Sequence, residues 1–200
     1  MHLLLGEDID MERELIPARR VLLLQGLSAV AFGVMSAKTR SFAAEARPAG
    51  GEVAIENFSP SGKSLGIVHV SKVVKTDAEW RMLLSAESYD ITRRAGTERA
   101  GTGKYAYSHA DGLYRCICCD TALYDSKTKF ESGTGWPSFY QPISEKNVVK
   151  SSDRSLGMSR DAISCTRCDA HLGHVFDDGP KPTGLRYCMN SVALNFVTRA

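Results

Sequence analysis

Every cysteine of this 200-residue chain lies beyond residue 115, at positions 116, 118, 119, 165, 168 and 188. Four of them form two hooks, Cys116-x-x-Cys119 and Cys165-x-x-Cys168. Two residues between cysteines let both thiolates turn toward one point about 2.3 Å away, and two hooks complete the tetrahedral shell of a structural zinc ion. The stretch between them, Asp120 to Ser164, is longer than in a compact zinc ribbon. One zinc per chain is therefore expected to clamp two distant segments of a domain, contributing on the order of 10 kcal/mol toward the fold. A catalytic zinc would keep an open position and three protein ligands, whereas four thiolates close the shell. Disulfides are the rival use, and six cysteines allow fifteen pairings. Two strained C-x-x-C disulfides in one small domain fit poorly.

The cysteine-free front half divides by composition. Arg19-Arg20 precedes a softened apolar run, Val21 to Ala37, and then the small-residue stretch Ala44-x-Ala46. A basic region, an apolar region and a cleavage site in that order are the pattern of a secretory signal. The paired arginines give it the look of a twin-arginine signal. Residues 1–46 are expected to be that signal and the chain to be periplasmic, with organellar or cytoplasmic placement as alternatives. The run is short and polar for a membrane span, so no membrane association is expected beyond an uncleaved signal anchor. Residues 47–73, with Arg47-Pro48-Ala49-Gly50-Gly51 and Ser59-Pro60-Ser61-Gly62, read as a linker with little fixed structure. A net charge of +2 offers no field for nucleic acid.

From Thr76 the chain takes on fold. Thr76-x-x-Glu79 is a capping box ahead of Trp80, Leu83 and Leu84, so a helix should start at Asp77. A second short helix is expected over Ser88 to Arg94, then a glycine-rich loop from Gly96 to Asp111. Short extended runs between turns follow: Leu113–Cys116, Thr121–Tyr124, Ala162–Cys165 and Leu185–Val197. The class is mainly β, of antiparallel sheets with one or two short helices in front.

With four thiols assigned to metal, Cys118 and Cys188 are left. Cys188 sits in a strand-like run where Arg186, Cys188 and Asn190 should share one face. A guanidinium beside a thiol favours the thiolate, so a lowered pKa is expected. His171 and His174 follow the second hook directly, in what reads as a rigid loop. They could be packing residues, but a pair near a reactive thiol suits proton transfer at neutral pH. Trp136, between glycines 133 and 135 and Pro137, is either a core residue or an indole presented on a loop.

Together these segments resemble the methionine-R-sulfoxide reductase B family, over residues 74–197. The matching stretches are Ile91-Thr92-Arg93 with Gly96-Thr97-Glu98, Lys129 to Phe139, His171 to Phe176, and Gly184 to Ser191. The resemblance implies a tent-like fold of antiparallel sheets and zinc on Cys116, Cys119, Cys165 and Cys168, away from the chemistry. It puts Cys188 at the catalytic position and Trp136, with Phe139 of the same motif, at the substrate. His171, His174, Arg186 and Asn190 fall on the polar wall around the sulfoxide. It further implies protein substrates bearing methionine sulfoxide, a thioredoxin-like or other thiol reductant, no organic cofactor, and a monomer. Many relatives carry at position 134 a cysteine that resolves the sulfenic acid, and this chain has Thr134 there. An external thiol is then the expected reductant, with Cys118 as an alternative resolver. Two other readings compete: a zinc-ribbon binding module, which leaves Cys188 idle, and a disulfide-stapled exported protein.

Overall fold

The computed structural model describes residues 50–153 and 160–200, so the expected signal over 1–46 lies outside the described residues. Among the described residues, eleven strands form three antiparallel sheets, accompanied by two α-helices. Strands β1 (Glu52–Phe58) and β2 (Ser64–Ser71) pair as a hairpin. Over 52–71 the expectation of a linker with little fixed structure is thus corrected. Ser59-Pro60-Ser61-Gly62 is the turn of that hairpin, with Gly62 at φ +80 and its N–H donating to the Ser59 carbonyl. Ile55 and Phe58 are buried, Phe58 against Leu113 and Ala122 of the neighbouring strands. Asn147, fully buried, exchanges hydrogen bonds with the Glu56 backbone (2.8 and 2.9 Å) and donates to the Ala122 carbonyl (2.8 Å), which pins the hairpin to the body.

Helix α1 (Asp77–Leu83) starts at the expected capping box: Thr76 accepts from the Glu79 N–H and Glu79 accepts from the Thr76 N–H. Such a cap is worth about 1 kcal/mol. The helix buries Trp80 and leaves Leu83 exposed. Helix α2 (Ala86–Arg94) is capped by Ser85 and buries Tyr89, Ile91 and Thr92. Arg93 lies 4.8 Å from the Trp80 ring and donates to the Cys168 carbonyl at 2.9 Å, so the helices brace the second cysteine hook.

Strands β3 (Gly112–Cys116), β4 (Ala122–Asp125) and β11 (Leu194–Thr198) form a sheet of order β11-β3-β4. The larger sheet contains β5 (Lys129–Phe130), β6 (Ser138–Phe139), β7 (Val148–Asp153), β8 (Arg160–Cys165), β9 (His171–Phe176) and β10 (Arg186–Met189). Its order is β5-β6-β10-β9-β8-β7, which sets β10 between β6 and β9. The core joining the two sheets is aromatic. Phe139 stacks on Tyr124 with centroids 4.4 Å apart, and Tyr114 meets Phe139 edge-on at 5.0 Å. Such pairs add about 0.5–1.5 kcal/mol beyond the area they bury.

Candidate active site and cysteine cluster

The two hooks fold alike because each ends in the same turn. The Asp120 N–H donates to the Cys116 carbonyl (2.8 Å) and the Asp169 N–H to the Cys165 carbonyl (2.9 Å). Both aspartates take left-handed φ values, 59 and 56, which a short polar side chain tolerates. One hook lies in the β3–β4 turn and the other in the β8–β9 turn, and all four sulfurs fall within 4.8 Å of one another. Cys116 Sγ is 3.6 Å from Cys168 Sγ, and Cys119 Sγ is 3.5 Å from Cys165 Sγ. Four sulfurs about 2.3 Å from a common centre would stand about 3.8 Å apart, so the cluster fits a tetrahedral ion. Charge points the same way. Thiol contacts from Cys118, Cys119, Cys165 and Cys168 push the Cys116 thiol far up, while those from Cys116, Cys165 and Cys168 pull Cys119 far down. Sulfurs so crowded cannot all ionise without a cation among them. Cys118 packs against this cluster, next to Thr92 and Arg93 of α2.

Cys188 lies elsewhere, at the middle of the larger sheet. Strand pairing sets Ser138 of β6 on one side of it and His174 of β9 on the other. Directly opposed residues in an antiparallel pair project to the same face. The thiol therefore opens into a cleft of about 130 Å³ lined by Thr97, Trp136, His174, Phe176 and Asn190. Trp136 is presented on the loop rather than sunk in the core: its indole N–H donates to the Glu98 carbonyl (3.1 Å), and the Gly101 N–H donates to the Gly135 carbonyl (2.8 Å). Gly135 has φ +87, and a Cβ there would press on the backbone of residues 100–101. Gly173 is needed for a different reason: a Cβ would collide with the Cys188 carbonyl oxygen.

The histidines are on strand β9, not in a loop as expected. Residues three apart on a regular strand face opposite sides. Here Ile163 pairs with Gly173 and Ser164 with His171, so Leu172 is an extra residue in the β9 ladder. That bulge restores a common side, and the two rings meet at 5.2 Å, near perpendicular. His174 lines the cleft, and His171 stands behind it, buried.

Three other expectations change. Phe139 does not line the cleft. It is fully buried, because its neighbour Ser138 takes the cleft-facing side of β6 and alternation turns the phenyl ring into the core. Asn190 lies past the end of β10, at the start of a 3-10 turn, and its amide is spent on backbone: Oδ1 accepts from the Glu98 N–H (3.0 Å) and Nδ2 donates to the Leu172 carbonyl (3.1 Å). It lines the cleft and ties its two walls together. Finally, the Cys188 thiol is held above its ordinary range, not below it. Burial pushes it up, and the Arg186 charge, with hydrogen bonding from Thr134, Arg186 and Ser138, offsets that only in part. The physical reason is desolvation of the sulfur; the neighbouring Arg186 is itself held by Asp178, to which its Nε and Nη2 donate at 2.8 Å. Sequence reasoning missed Thr97, Phe176 and Asp178. Nothing in the chain flags an aspartate eight residues before the arginine it holds.

A half-buried thiol facing an indole and an imidazole, with a separate thiol cluster on the far turns, defines a thiol-dependent oxidoreductase site. Residues 84–198 match the SelR domain. Over 130 residues, 65% of this chain and 100% of the relative, the chain is 55% identical to the peptide methionine sulfoxide reductase MsrB of Pseudomonas fluorescens strain Pf-5. The protein of the same description from Herminiimonas arsenicoxydans is 54% identical over 125 residues, 62% of this chain and 91% of that one. The chain belongs to the methionine-R-sulfoxide reductase B family.

Proposed function

We propose that this protein reduces methionine-R-sulfoxide in oxidised proteins through Cys188. One observation carries the reading: the Cys188 thiol opens into a cleft whose walls are the Trp136 indole and the His174 imidazole. The thiolate attacks the sulfoxide sulfur while His174, backed by His171, supplies the proton the oxygen requires. The sulfur–oxygen bond breaks, methionine leaves reduced, and the oxygen stays on Cys188 as a sulfenic acid. A sulfoxide sulfur is chiral. A cleft with the methyl group on Trp136 and the oxygen toward the imidazoles takes one epimer, and the family resemblance supports R.

An external thiol of the thioredoxin type then attacks the sulfenic acid, releasing water and leaving a mixed disulfide that a second thiol reduces. Thr134 supports this, since a threonine forms no disulfide, and so does Cys118, whose sulfur packs against the cysteine cluster. Cys116, Cys119, Cys165 and Cys168 hold one zinc ion, which supplies a structural crosslink. The order of residues in 1–46 supports twin-arginine export to the periplasm, and the mature protein acts as a monomer.

The test is an assay on separated R and S epimers. The wild type should consume R alone and Cys188→Ser neither. Turnover by Cys188→Ser, or equal use of both epimers, overturns the reading. Mass spectrometry after one oxidative turnover addresses the reductant: a 118–188 disulfide would remove the external thiol from the first step.

A further inference from the structure

The cleft accounts for one side of Cys188. On the other side lies a set of hydroxyls that the steps above do not use. Ser132 Oγ is 2.8 Å from Thr134 Oγ1 and 2.7 Å from Ser138 Oγ. Thr134 Oγ1 stands 4.0 Å from Cys188 Sγ, and Ser138 faces the same sulfur across the β6–β10 pair. Ser138 Oγ also reaches the Trp136 carbonyl at 3.2 Å, and the Thr134 N–H donates to Ser132 Oγ at 3.4 Å.

Counting protons shows that this set has two states. A hydroxyl has one hydrogen to donate and two lone pairs to accept with. When Cys188 is a thiol, its S–H can donate to Thr134, Thr134 to Ser132, Ser132 to Ser138, and Ser138 to the Trp136 carbonyl. Every hydrogen has an acceptor, and the chain ends on backbone. When Cys188 carries charge, it only accepts. The chain can then reverse, with Ser138 donating to Ser132, Ser132 to Thr134, and Thr134 to the sulfur. No heavy atom has to move, and hydrogen bonds in such a row polarise one another.

We propose that Thr134, Ser132 and Ser138 form a reversible hydroxyl relay that meets negative charge on the Cys188 sulfur by turning its O–H bonds toward it. Thr134 touches the reacting sulfur, and Ser132 is a positioning residue that acts through Thr134. The proposal rests on Cys188 being the nucleophile. The groups facing that sulfur are Arg186 from its own strand, His174 from β9, and Ser138 and Thr134 from the β6 side. Asp178 acts on it through Arg186. Burial opposes charge on this sulfur; Arg186 offsets it first, and the Thr134 and Ser138 hydroxyls add to that offset.

The experiment is the pH dependence of Cys188 alkylation by iodoacetamide in the metal-loaded full chain, with a single-turnover sulfoxide assay beside it. Ser132→Ala never touches the sulfur, yet should raise the alkylation midpoint by about half a pH unit and slow single turnover about threefold at neutral pH. Thr134→Val, close to isosteric, should raise it by about one unit, and Thr134→Ser should restore the wild-type value. A wild-type midpoint in folded Ser132→Ala overturns the relay. Should Ser132→Ala fail to fold, an unchanged midpoint in Thr134→Val overturns it equally. Alkylation reads the sulfur without substrate. A failure here, with Cys188-dependent reduction intact in the wild type, sinks the relay alone. A wild type that reduces no sulfoxide sinks the functional reading instead.

Discussion

Replacing Thr134 by cysteine should give this chain an internal resolving thiol, and the gain can be worked from the geometry. Thr134 Oγ1 and Cys188 Sγ are 4.0 Å apart and 54 residues apart in sequence. A disulfide spans about 2.05 Å, so the sulfurs must close by roughly 2 Å. Gly133 (φ +73) and Gly135 (φ +87) flank the position and leave the loop conformation in place while the side chain turns. Closing a loop of that length removes unfolded-state entropy worth about 4 kcal/mol at 25 °C. Loss of the Thr134–Ser132 hydroxyl contact returns about 1 kcal/mol. A net stabilisation of about 3 kcal/mol corresponds to a urea midpoint higher by roughly 1–2 M for the oxidised variant against the wild type. The assay is one equivalent of methionine-R-sulfoxide, then intact mass, then urea unfolding with and without reductant. A sulfenic acid that persists, trapped by dimedone with no internal disulfide, would refute the placement of residue 134 beside the sulfur.

Asp178→Asn should lower the Cys188 alkylation midpoint, because burial raises that thiol and the freed Arg186 charge opposes burial. Asp178 is mostly exposed, so screening keeps the change to about half a unit or less. More thiolate would then be present at neutral pH. A midpoint that rises would show that Asp178 matters by holding Arg186 in place. Cys168→Ser should lose the bound metal and much of the thermal stability, read by elemental analysis and a melting curve; full stability without metal would contradict the clamp. Phe139→Ala should cost about 3–5 kcal/mol of stability in denaturant while any folded protein keeps its KM for sulfoxide. A KM change at unchanged stability would return Phe139 to the cleft.

What the sequence revealed was local chemistry. The Thr76–Glu79 box and the paired hooks depend on residues close together in the chain, and each lies where its pattern indicated, whereas the run expected over Leu185–Val197 is split by a 3-10 turn at Ser191–Ala193 into β10 and β11 of different sheets. What it hid depends on pairing. Ser59-Pro60-Ser61-Gly62 has the composition of a linker and of a hairpin turn alike, and only the buried Ile55 and Phe58 decide between them. The meeting of His171 and His174 depends on one unpaired residue, Leu172, whose effect exists only against β8. Phe139 is exchanged with Ser138 by a single step of alternation in a two-residue strand. The Cys188 titration missed its expected direction because burial of the sulfur, which depends on the strands packed around it, outweighs the guanidinium two residues away.

The strand that carries Cys188 hangs between the two hooks. Strand β10 pairs with β9, which begins just beyond the second hook, and runs through a short turn into β11, whose Leu194 pairs with Cys116 of the first. The cysteine cluster and Cys188 are therefore arranged in mechanical series. Loosening the four-cysteine cluster should thus reach β10 through both of its neighbours and disturb the alignment of Cys188 along with the stability of the fold.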